Sequence, residues 1–231
     1  MIRKLLSATL FSVLVASASC VAGQDAGLLI GNVRGFDEDG CSPRDEASLR
    51  VTSGFVDLAG TTRYVGWLEL ISQFEVLQRQ TTEDPVEVPN ANDAIVDRVH
   101  LSYRTEGDGA PSLSEEQYPL HFVVAPASGS SENLLGTDFL GPAAQTALEA
   151  VAPGSSFTVY TTISVSGRLR SGRAFESAEI TFPISVIRSA GCPAGQVPGL
   201  TGPCGGPGGQ DSFRLVCCPE ENPLCANEET E

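Results

Sequence analysis

Phe157-Thr158-Val159-Tyr160-Thr161-Thr162-Ile163-Ser164-Val165 alternates apolar and polar side chains, and so does Ala178-Glu179-Ile180-Thr181-Phe182-Pro183-Ile184-Ser185-Val186. Between them stands the turn Arg170-Ser171-Gly172-Arg173. A period of two places Phe157, Val159, Thr161, Ile163 and Val165 on one side of an extended chain. Ala178, Ile180, Phe182, Ile184 and Val186 do the same on the return arm. The stretch therefore predicts a long β-hairpin with one buried face. Pro183 cannot donate a ladder hydrogen bond, so the return strand is expected to be an edge or to bulge there.

Working outward, the same pattern recurs. Residues 28–33 form a short apolar run, and Leu49, Val51 and Phe55 alternate with Arg50 and Thr52. Residues 64–77 predict a longer strand, apolar at Leu68, Leu70, Phe74 and Val76. Val99, Leu101 and Tyr103 define another, and Leu120, Phe122 and Val124 a further one. Residues 142–151 break the pattern with helix-favouring alanines and end at Ala152-Pro153-Gly154, which predicts one short crossover helix. Seven to eight half-apolar strands with turn formers between them point to an all-β, immunoglobulin-like β-sandwich, with a closed barrel as the alternative. The sandwich domain is assigned to residues 24–189. Residues 190–231 form a Gly/Pro/Cys-rich tail with too little apolar periodicity to order itself by burial, so crosslinks are expected to hold it.

The cysteines give the compartment. Arg3 and Lys4 precede an apolar segment at residues 5–15, then Ala16-Ser17-Ala18-Ser19 and Cys20. This is a secretory leader (residues 1–20), too short for a spanning helix of about 20 apolar residues. Ser17-Ala18-Ser19-Cys20 resembles a bacterial lipobox, with Ser17 where a large aliphatic residue is usual. Cys20 is thus the expected lipid attachment site. Cuts before Ser19 or before Gln24 are the rivals, and the first leaves an odd thiol in an oxidising compartment. The remaining six, Cys41, Cys192, Cys204, Cys217, Cys218 and Cys225, are expected to form disulfides. Adjacent Cys217 and Cys218 cannot bond each other without strain, so each must reach a different partner. If all six pair, Cys41 joins the C-terminal cluster and closes a loop of roughly 150 residues or more, worth about 4–5 kcal/mol in the chain-entropy model.

Once the leader is removed, twelve basic residues, all arginine, face 29 acidic ones, a net charge near −17. Such a field disfavours nucleic acid and anionic surfaces, leaving membrane contact to an N-terminal lipid anchor. It fits the solubility of an exported protein. His100 and His121 lie between core-facing neighbours and are expected to point outward as surface residues. There is no G-x-S-x-G elbow, no H-E-x-x-H, and no lysine for a Walker loop or a Schiff base, so no catalytic residue is assigned. The acidic Asp37-Glu38-Asp39-Gly40 lacks the rest of a calcium loop, and the cysteines lack paired zinc spacing. Gly205-Gly206-Pro207-Gly208-Gly209 is followed by neither helix nor lysine. No cofactor or metal is expected.

Several short motifs carry a resemblance. They are Ser53-Gly54-Phe55-Val56-Asp57, Asn92-Asp93-Ala94-Ile95, the hairpin at 167–186 with Thr181-Phe182-Pro183-Ile184, Gly191-Cys192, and Gly209-Gln210-Asp211 with Cys217-Cys218. In this order they resemble a group of predicted envelope lipoproteins of myxobacteria, of uncharacterised function. The resemblance implies an envelope location and brings no activity with it. The expectation is a non-enzymatic envelope protein, on the outer membrane or cell surface, that contacts a protein or glycan. Its rivals are a secreted inhibitor or effector acting through the tail, and a glycosidase using two carboxylates.

Overall fold

The computed structural model describes residues 27–35, 50–77, 89–129, 133–198, 217–219 and 221. Cys20, Cys41, Cys204 and Cys225, the leader, the acidic turn at Asp37 and the glycine run at Gly205 lie outside them. The described chain is mostly β with one short helix. In order come β1 (Leu28–Arg34), β2 (Arg50–Val51), β3 (Gly54–Asp57), β4 (Val65–Ser72), β5 (Ala94–Asp108), β6 (Glu116–Val124), β7 (Leu134–Asp138), α1 (Pro142–Glu149), β8 (Ser156–Leu169), β9 (Ala174–Glu176), β10 (Ile180–Ile187), β11 (Gln196–Pro198) and β12 (Cys217–Pro219). Among the described residues no helix is long and apolar enough to cross a membrane.

One sheet has four strands in the order β2-β1-β4-β7; a second has six, β3-β10-β8-β5-β6, with β9 also on β8; β11 and β12 make a separate pair. The hairpin expected from the alternation is there. β8 and β10 pair antiparallel from Ile163↔Ile180 to Ser156↔Ile187, and the turn closes with Gly172 N–H donating to Leu169 O at 2.8 Å. The return arm is interrupted: β9 pairs with residues 166–168. Ser177 then steps off the ladder, its hydroxyl accepting the Val165 N–H at 3.0 Å. β3 runs parallel to β10 only from Ile184 to Ile187. At Pro183 the strand thus has a neighbour on one side alone, where a missing N–H costs nothing.

The two large sheets share one core. Leu28, Ile30, Val33, Leu68, Leu70 and Leu135 come from the four-stranded sheet. Val96, Val99, Leu101, Val159, Ile163, Val165, Phe182 and Ile184 come from the six-stranded one, all in a single buried cluster. Tyr64, Phe139 and Phe182 fill one part of it, ring centroids 5.2–5.7 Å apart. Gly167 has no room for a side chain, because an added Cβ would lie 2.0 Å from Ile95 O, where β5 shifts register between Val96 and Arg98. α1 links β7 in one sheet to β8 in the other, the crossover read from the alanines.

Several strand expectations need correction. Residues 49–55 were expected as one strand. Instead β2 pairs with β1 and β3 with β10, in different sheets; Gly54, where β3 begins, packs so close to the Tyr64 ring that a Cβ would lie 2.4 Å from it. The strand expected at 64–77 stops at Ser72. Phe74 turns inward, 7% exposed, and Val76 is 52% exposed rather than on the apolar face. β7, β9, β11 and β12 escaped the pattern because each is five residues or shorter. The twelve strands among the described residues exceed the seven or eight expected.

Candidate functional site

With Val99 and Leu101 buried, β5 turns His100, Ser102 and Arg104 to the outer face of the six-stranded sheet. β8 likewise turns out Thr158, Tyr160, Thr162, Ser164 and Ser166. The register sets His100 beside Ser164, Ser102 beside Thr162 and Arg104 beside Tyr160. The result is a polar stripe across two central strands. His100 Nε2 lies 2.7 Å from Ser166 Oγ, Thr162 Oγ1 3.0 Å from Thr181 Oγ1, and the Arg104 guanidinium 3.9 Å from the centre of the Tyr160 ring.

Part of the stripe is sunk. A recess of about 390 Å³ is lined by His100, Ser102, Gln117, Thr162, Glu176 and Glu179, among others. Glu176 and Glu179, on either side of the break between β9 and β10, complete that lining beside the central strands. Ser164 is consequently only 4% exposed despite its outward position, its hydroxyl 3.5 Å from Glu176 Oε1.

Glu116, which also borders the recess, directs its carboxylate elsewhere. Its two oxygens accept the N–H groups of Ala143 (3.0 Å) and Ala144 (3.2 Å), at the start of α1. That helix has Gly141 at its N-cap, no side-chain cap of its own and no acidic residue in its first turn. A carboxylate from a distant strand supplies what the local sequence omits. Tyr103 joins the group, donating to Glu116 Oε1 at 2.8 Å and accepting from Gly141 N–H at 2.9 Å. Burial raises the Tyr103 hydroxyl far above its ordinary pKa. Tyr118 is pushed up to about 12, chiefly by burial; its hydroxyl donates to Asp138 O at 2.7 Å and also contacts Thr137 Oγ1.

The His100–Ser166 contact has the length of a base–nucleophile pair. No described residue orients the other ring nitrogen, and Ser166 is paired in the ladder with Arg98 on one side and Glu176 on the other. Among the described residues no group of three or more His, Cys, Asp or Glu side chains is arranged to hold a metal. The recess offers hydrogen bonds: hydroxyl and imidazole groups that both donate and accept, an amide, and carboxylates.

Of the residues singled out in the sequence, His100 faces outward as expected but sits within this recess, while His121 is exposed on β6. Cys192 and Cys217 are bonded to each other, clasping the β11–β12 pair. Cys218, fully buried, is disulfide-bonded as well. Ser164, Ser166, Glu176 and Glu179 were not singled out. Their signal is a hydroxyl on alternate residues of β8, which acquires meaning only once the register with β5 is known. Comparison with protein-family models, curated proteins and solved structures finds no match.

Proposed function

We propose that this chain is an exported envelope protein, anchored through an acylated Cys20, that works without catalysis as a binding module for a glycan at the cell surface. The observation that carries the reading is the outer-face recess of the six-stranded sheet. Its lining sets the hydroxyls of Ser102, Thr162 and Ser164, the Gln117 amide and the His100 imidazole between Glu115 and Glu116 on one side and Glu176 and Glu179 on the other, a donor and acceptor set that suits a polyhydroxylated ligand. The His100–Ser166 pair, with no acid among the described residues to orient the imidazole, favours binding over acyl transfer. We further take the two large sheets, which share one core, as the faces of an immunoglobulin-like sandwich. The parallel pairing of β3 with the last strand of the six-stranded sheet, and the single crossover helix, support that reading.

Titrating the mature protein with oligosaccharides released from the host's own envelope tests the proposal. His100→Ala and Glu179→Gln should each weaken binding by about tenfold, the loss expected for a hydrogen bond to a charged or desolvated partner. Glu149→Gln, on the exposed side of α1, should leave it unchanged. Saturable binding that ignores His100→Ala, or no binding to any fraction, would remove the recess from the account.

A further inference from the structure

One end of the molecule is distinguished by its surface. There the described chain begins at Gly27, and residues 73–77, 90–93, 125–128 and 169–173 are tied together by hydrogen bonds, the Asn90 and Asn92 side-chain amides donating to Leu77 O (3.3 Å) and Glu75 O (2.8 Å). Gln73 N–H donates to Gly27 O (2.8 Å), Ala127 N–H to Phe74 O (3.0 Å), Arg170 N–H to Asp93 O (2.9 Å) and Ser171 N–H to Ala91 O (2.8 Å). The three large apolar side chains exposed among the described residues are all here: Val76 and Leu77, each 52% exposed, and Val123, 43% exposed. Exposed arginines accompany them. Arg173 stands over the Phe74 ring, its guanidinium 5.5 Å from the ring centre. Arg168 lies beside Ile95 in the register. Apolar tips beside arginines that carry long apolar stems suit the boundary between acyl chains and headgroup phosphates.

Chain length selects the occupant. Gly27 stands seven residues after Cys20, so the tether reaches at most about 25 Å when fully extended. β8, with 14 residues, is about 45 Å long. An anchor on Cys20 therefore reaches the membrane from the Gly27 end and cannot hold the opposite end against it. Resting on the reading of Cys20 as an acylated residue, we propose that this end is seated on the bilayer. Val76 and Leu77 enter the interfacial layer, and Arg168 and Arg173 meet lipid phosphates. The outer face of the six-stranded sheet then stands across the membrane plane, with its recess open to the side.

The test uses the full acylated chain in vesicles of zwitterionic phosphatidylcholine with brominated acyl chains, which quench nearby tryptophans and set no net charge against the acidic chain. Val76→Trp or Leu77→Trp reports on this end, and Glu149→Trp, on the exposed tip of α1, on the opposite one. The unsubstituted chain gives the Trp67 background. The proposal expects bromination to remove more than half of the added Val76→Trp and Leu77→Trp emission and none of that from Glu149→Trp. Equal quenching at both ends, or none at either, in protein whose mass confirms acylated Cys20 would overturn the seating alone. A chain recovered without acyl groups would overturn the anchor, and the seating with it.

Discussion

Glu69 shows how a buried carboxylate is held by the groups around it. It pairs with Arg34 and accepts from Asn32 Nδ2 at 2.9 Å, with the Arg34 and Glu69 side chains only 4% and 1% exposed. Neutralising Glu69 takes a charged acceptor away from a guanidinium that is itself almost fully buried. Glu69→Gln is therefore expected to cost about 3 kcal/mol in urea unfolding, whereas the apolar pair Arg34→Met with Glu69→Leu should cost less than that single change. A double variant less stable than the single would show that the ion pair contributes net stability. Tyr118 makes a prediction in pH. Its folded pKa, near 12, lies above the ordinary value of 10. Below pH 10 both states keep the proton and stability is unaffected. Between about 10 and 12 only the unfolded chain ionises, so stability falls across that window. Tyr103, raised by burial in the same direction, adds to the decline. Unfolding measured from pH 9 to 12 should show the fall, and Tyr118→Phe should make it shallower. An unchanged slope would contradict the burial of that hydroxyl.

Among the elements, α1 depends most on a residue outside itself. With a glycine N-cap and no acidic first turn, it relies on Glu116 to satisfy two N–H groups. Glu116→Ala should cost about 1–2 kcal/mol, and Glu116→Gln, which keeps an acceptor, less. Equal losses would mean that charge and not hydrogen bonding holds the helix start. This cap was invisible in the sequence, because 27 residues separate Glu116 from Ala143. The long hairpin, by contrast, was legible, since β8 and β10 bury one face and solvate the other and so print their geometry as a period of two. The same logic failed at residues 49–55 and 73–77, where the chain changes sheet or leaves the ladder while its apolar residues continue to alternate. Of the site, the outward direction of His100 could be read from Val99 and Leu101. Its neighbours Ser164, Ser166 and Glu176 could not, because strand register across a sheet is set by long-range packing.

For the whole molecule, the proposal is of a protein held at a surface through its acylated Cys20 and displaying the polar face that bears the recess. A bond such as Cys192–Cys217 persists in an oxidising compartment, which the proposed export would provide. Peptide mass mapping without reduction, on protein isolated from its native host, tests this account most directly. It predicts an N-terminal peptide beginning at acylated Cys20, together with a crosslinked peptide joining Cys192 to Cys217. An unmodified N-terminus at Gln24 would contradict the anchor and make this a released protein, for which the disulfide-stapled tail becomes the first place to look for a partner.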